Sequence, residues 1–177
     1  PVTLAGGLKN INDVKKALES GADKVAINTA AVKNKSVIKD VAQMFGSQAL
    51  IISINAKKIS LNKWEVFIDK GREETGLDVI KWAKFVEKSG AGEIHINSID
   101  NDGTFNGFDY DLIKQISKIV KIPLVVGGGL GNIEHIDRLL KTKNIEGVSI
   151  SSALHYKKLT INNIKHQIKK NNLNVRI

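Results

Sequence analysis

Short apolar runs alternate along this chain with longer segments whose apolar positions recur at helical spacing, the pattern of strands separated by amphipathic helices. Strands are predicted over residues 1–8, 24–28, 48–55, 93–99, 124–126 and 147–150, and helices over about 12–20, 36–45, 77–89, 110–120, 134–140 and 161–170. Gly21 closes the first helix, since a residue free to adopt positive φ commonly ends one. Trp82, Phe85 and Val86 mark the apolar side of the helix at 77–89. Residues 56–76 break the alternation: they read as irregular, with Trp64–Ile68 resembling a short hairpin strand and Gly71 and Gly76 bounding a polar loop. Strand and helix in strict alternation build a parallel sheet, so the fold class is α/β.

The pattern repeats. Pro1, Gly6, Gly7, Leu8, Asn10, Ile11 and Leu18 correspond to Pro123, Gly128, Gly129, Leu130, Asn132, Ile133 and Leu140, and Val25–Ala30 then corresponds to Val148–Ala153. Each copy reads strand, glycine turn, helix, strand and polar turn, a two-fold internal repeat of half-barrel type. A closed parallel barrel of this kind takes eight strands, and the chain supplies six. Because the pairs of units at 1–45 and 123–177 correspond, the pair at 46–122 should have a partner of similar length ahead of Pro1. The expectation is a (β/α)8 barrel of which the third to eighth units are present, forming one incomplete domain over residues 1–177. A complete open sheet of six strands is the alternative, and removal of an initiator Met would also leave Pro1 first.

Composition narrows this only slightly. At 42% hydrophobic residues the chain can bury one sizeable core. No apolar run approaches the ~18 residues of a membrane span and no leader pattern precedes Pro1, so a cytoplasmic protein without membrane contact is expected. The absence of cysteine excludes disulfides and thiolate metal sites. The net charge of +9 fits a solvated lysine surface, a field that favours phosphorylated substrates, or nucleic acid. Scattered lysines and only 5% aromatic residues argue against nucleic acid.

Strand alternation assigns chemistry to one face. Val25, Ile27, Ile52, Ile54, Ile94, Ile96, Val148 and Ile150 face the helices. Thr3, Lys24, Asn28, Ser53, Asn55, Glu93, His95, Asn97, Ser149 and Ser151 face the barrel axis, where branched apolar side chains normally pack. A polar lumen suggests something small and polar passing or reacting inside. Lys24 and Glu93 both begin strands and would pair at the closed end, either as a plug or as part of a passage. At the strand ends, Gly6–Gly7 with Asn28–Thr29, and Gly103 and Gly128–Gly129 with Ser151–Ser152, offer backbone N–H groups and small polar side chains suited to phosphate. Asp100 and Asp102 are acid–base candidates whose plain structural role would be to cap the following helix. Asn55 points inward but cannot act as a base. His135 and His166 read as helix-surface residues, His95 as a lumen or core histidine, and the four histidines show no metal-ligand spacing.

Gly6–Leu8, Gly21–Val32, Phe45–Gln48, Gly90–Ile94, Ser98–Thr104 and Gly107–Asp109 together resemble the cyclase subunit of imidazole glycerol phosphate synthase, over essentially the whole chain from that family's third strand. The resemblance implies a (β/α)8 barrel acting as a lyase of histidine biosynthesis, with no cofactor. It implies a glutaminase partner docked at the closed end, from which ammonia passes up the lumen to a bisphosphorylated ribulosyl-formimino nucleotide. Carried over by position, Gly7, Asn28 and Thr29 would hold one phosphate, and Gly103, Gly129, Ser151 and Ser152 the other. Asp102 would contact substrate, and Lys24 and Glu93 would gate ammonia. The family's two catalytic aspartates depart here: one precedes the third strand, and the other falls on Asn55. Asn97 stands where the histidine enzymes carry Thr, and this resembles paralogues that amidate surface-polysaccharide sugars. A catalytically impaired phosphate-binding remnant is a further alternative.

Overall fold

The computed structural model describes residues 1–175. Six parallel strands form one curled sheet: β1 (Thr3–Ala5), β2 (Lys24–Ile27), β3 (Leu50–Ser60), β6 (Glu93–Ser98), β7 (Leu124–Gly127) and β8 (Gly147–Ser149), lying side by side in that order. The connecting helices are α1 (Ile11–Glu19), α3 (Ser36–Phe45), α4 (Val79–Lys88), α5 (Tyr110–Ile119) and α6 (Ile133–Leu139), and α8 (Ile161–Lys170) closes the chain. The sheet is the arc of a (β/α)8 barrel. Its outermost strands, β1 and β8, pair with no further strand among the described residues.

The core lies between sheet and helices. Val25, Ile27, Ile52, Ile54, Ile94 and Ile96 are buried on the helix side, where α3, α4 and α5 cover them with Ile38, Val41, Trp82, Val86, Leu112 and Ile116. Lys24, Ser53, Asn55, Glu93, His95 and Asn97 alternate with them and are only half-buried, because the concave face stays open. At β8 the layer thins, leaving Val148 and Ile150 half-buried against it. Phe85 departs from the expected apolar side of α4: it is 38% exposed and stacks on buried Trp82, with ring centroids 5.3 Å apart.

Residues 56–76 are more regular than their composition suggests. β3 continues past the sheet to Ser60, and β4 (Lys63–Ile68) and β5 (Glu73–Asp78) fold back against it as an antiparallel ribbon. Within it Trp64, Val66, Phe67 and Ile68 are buried while the outer edge is charged, so lysines and glutamates masked a strand pattern that packing enforces.

The internal repeat is visible in the backbone. Gly6 and Gly128 share φ +89°. The helix caps Asn10 and Asn132 have φ/ψ of −152°/176° and −142°/174°. Asn28 and Ser151 match more closely, at −125°/−79° and −124°/−81°. The two polar turns predicted after β2 and β8 prove to open short helices, α2 (Thr29–Lys33) and α7 (Ser152–His155).

Candidate functional site

Parallel strands carry their following loops to one edge of the sheet, and both glycine turns and both short helices lie at that edge. The first cradle is a cavity of about 310 Å³ bounded by Gly6, Gly7, Asn28, Thr29, Ser53 and Asn55, with Asp69 and Lys70 across it. The second, of about 170 Å³, is bounded by His95, Asn97, Asp102, Gly103, Gly128, Gly129, Ser151 and Ser152. Every residue expected at the strand ends therefore falls in one of two related cavities.

The cradles present backbone rather than side-chain capping. Neither Asn28 nor Ser151 caps the helix it precedes, so the first N–H groups of α2 and α7 have no acceptor from the cap side chain. The Asn28 amide instead donates to the Phe67 carbonyl at 3.1 Å, and Thr29 Oγ1 accepts from the Asp69 N–H at 3.2 Å. These bonds bring the β4–β5 turn over the first cradle. In that turn Asp69, Lys70 and Gly71 all have positive φ, and two consecutive non-glycine residues in this region cost about 1–3 kcal/mol each. Lys70 supplies the first cradle with a cation that the repeat gave no means of finding, because the ribbon lies outside both of its copies.

In the second cradle glycine is demanded by space. A Cβ on Gly129, at φ +103°, would overlap the Gly107 carbonyl, and one on Gly128 would lie 2.6 Å from Ser98 O. The Gly107 N–H in turn donates to Gly129 O at 2.8 Å, which joins the β6–α5 and β7–α6 loops. His135 is no simple surface residue: its Nδ1 accepts from the Gly131 N–H at 3.1 Å, and it completes a capping box with Asn132.

Neither Asp100 nor Asp102 caps α5; Asp109 does, through the Leu112 N–H at 3.1 Å. Asp100 accepts from the Lys58 N–H at 2.7 Å and anchors the ribbon. Asp102 is left at the mouth, where the Asn97 amide donates to it at 3.3 Å. Asn55 lies beside Asn97 in register across β3 and β6. At the opposite end of the strands Lys24 Nζ and Glu93 Oε2 meet at 2.5 Å. Between these levels Ser53 Oγ and His95 Nδ1 are 3.2 Å apart. The lumen is thus a file of polar groups from one edge of the sheet to the other. No cluster of His, Asp and Glu capable of holding a metal occurs among the described residues, nor does any helix there have the length and apolarity to cross a membrane.

Two sequence comparisons bear on this arrangement. The model of the family described as histidine biosynthesis protein matches residues 1–160. The chain belongs to that family. It is 43% identical over its whole length to imidazole glycerol phosphate synthase subunit HisF of Clostridium botulinum (strain 657 / Type Ba4), covering 70% of that protein. It is 45% identical to the subunit HisF of Hydrogenobaculum sp. (strain Y04AAS1) and 41% identical to that of Bacillus cereus (strain ATCC 10987 / NRS 248), again over all of this chain and 70% of each relative. Family membership agrees with the α/β barrel architecture.

Burial, only partly opposed by the Glu93 carboxylate, holds the His95 pKa below the ordinary 6.5. The unfolded chain binds that proton more readily than the folded one, so His95 contributes stability above pH 6.5 that is lost as pH falls through its lowered native value. His135, also depressed by burial, acts in the same sense. Urea midpoints at pH 8 and pH 5 should therefore show a loss of stability in acid that is smaller in His95→Gln; an unchanged pH difference in that variant would show that His95 does not contribute.

Proposed function

We propose that this chain is the ammonia-dependent cyclase of imidazole glycerol phosphate synthesis, closing the imidazole ring on a nucleotide that carries a phosphate at each end. The observation that supports this most directly is the pair of related cradles at one edge of one sheet, separated by a polar lumen. Gly7, Asn28, Thr29 and Lys70 would grip one phosphate. Gly103, Gly129, Ser151 and Ser152 would grip the other, with Asp102 between them and the reacting carbons. The partner is a glutaminase that releases ammonia at the far edge, where it enters past the Lys24–Glu93 pair.

The experiment is turnover by the full-length protein of the bisphosphorylated ribulosyl-formimino substrate with ammonium, read as imidazole glycerol phosphate formed. Gly129→Ala places a methyl group against the Gly107 carbonyl at φ +103°, a strain of about 1–3 kcal/mol. It should weaken substrate binding roughly tenfold or more. Wild-type protein that neither binds the substrate nor forms product would overturn the reading.

A further inference from the structure

The first cradle has a carboxylate on its border, an unfavourable neighbour for an anion. Asp69 and Lys70 both bound the cavity, whereas Gly71 and Arg72, which complete the β4–β5 turn, are not among its bounding residues. The Asp69 N–H donates to Thr29 Oγ1 at 3.2 Å. Because that hydroxyl accepts from Asp69, its own hydrogen is left to donate to a ligand. The same bond fixes the Asp69 backbone beside Thr29, so the carboxylate has only the length of its own short side chain in which to avoid an anion held there. At such range like charges repel even at a protein surface.

Arg72 answers this charge. Its Nη2 lies 3.0 Å from Asp69 Oδ2 and its Nε donates to the Asp69 carbonyl at 3.2 Å, so one guanidinium grips the residue by side chain and backbone. Lys70, the other cation of the turn, is in no ion pair among the described residues. The grip is not needed for the fold. The side chains of Arg72 and Asp69 are 68% and 51% exposed, where a pair adds little to stability. The turn is already closed by the Gly71 and Arg72 N–H groups, which donate to Ile68 O at 3.0 and 3.1 Å. What the pair decides is which charge the turn presents: Asp69 is neutralised and Lys70 is not.

We propose that Arg72 is a positioning residue of the first cradle, which holds the Asp69 carboxylate off the bound phosphate and leaves Lys70 as the charge that attracts it. Arg72 acts through Asp69 and touches no ligand itself. The inference deepens the functional reading above and rests on it for the phosphate.

The test titrates ¹⁵N-labelled full-length protein with inorganic phosphate at constant ionic strength, so that screening is the same throughout. The backbone amides of Gly7 and Thr29 report the first cradle, and those of Gly103 and Gly129 the second. Arg72→Gln should raise the phosphate Kd read at Gly7 and Thr29 about tenfold, the scale of one uncompensated charge, and leave the Kd read at Gly103 and Gly129 unmoved. In an Asp69→Asn background, where asparagine tolerates the left-handed backbone of the turn, Arg72→Gln should have no such effect. A loss of equal size in both backgrounds would mean that Arg72 attracts phosphate by its own charge, and an unchanged Kd in the parent that the pair is idle; either result overturns the proposal while the phosphate site stands. Wild-type amides at the first cradle that phosphate leaves unmoved remove the phosphate reading and this role together. The expected pattern in a protein that forms no imidazole product upholds the role and removes the cyclase reading.

Discussion

Replacing Asn55 by aspartate is expected to raise ammonium-dependent turnover by the full-length protein about a hundredfold. Asn55 projects into the lumen near the end of the parallel part of β3, beside Asn97 in register, and lines the first cradle with Asn28, Thr29 and Lys70. The amide has nearly the size of a carboxylate, so the exchange adds no bulk to the cavity. It adds a group that can take and return a proton, which an amide cannot do, and a positioned acid or base is worth about 10² to 10⁴ in rate. Lys70, across the same cavity, would favour the ionised form of the new carboxylate and leave it competent as a base. Product formation at saturating ammonium compares the two proteins. A variant that binds substrate as the parent does, and turns over no faster, would show that Asn55 is not where the reaction lacks its proton carrier.

Much of this site could be read from the chain because its parts are local. Gly6–Gly7 and Gly128–Gly129 announce turns by composition, and the spacing from each to Asn28 or Ser151 is set by one helix and one strand. Alternation then separated Lys24, Glu93, His95 and Asn97 from their apolar neighbours on the same strands. What pattern could not supply was contact between segments distant in sequence. Lys70 reaches the first cradle only because residues 56–76 form a ribbon that leans on Asn28 and Thr29. Asp109 rather than Asp100 or Asp102 caps α5 because the loop after β6 makes a detour to meet the Gly129 carbonyl. The crowding that leaves Gly127 little room for a side chain comes from three atoms on two other strands, and no spacing rule encodes that.

The ribbon also gives the largest expected change in stability, from Trp64→Ala. Trp64 is 1% exposed, among the largest fully buried side chains, and joins β4 to the core beneath α4 and α5. Its Nε1 donates to Asp109 Oδ2 at 2.7 Å, while Asp109 Oδ1 caps α5. One indole thus fixes the ribbon and, through Asp109, the far end of the loop that carries Asp102 and Gly103. Truncation removes the ring and opens a cavity, a loss of about 3–5 kcal/mol. Trp64→Phe keeps most of the apolar burial but leaves Asp109 Oδ2 without its donor, a loss of about 1–3 kcal/mol. Urea unfolding of the three proteins should rank them in that order. The phenylalanine variant should in addition bind phosphate more weakly at the second cradle than its stability alone implies, since its loop has lost an anchor. If Trp64→Phe proved as destabilising as Trp64→Ala, the hydrogen bond rather than the buried ring would be holding the ribbon. If it left phosphate binding unchanged, the path from Trp64 through Asp109 to Gly103 would carry no weight in the site.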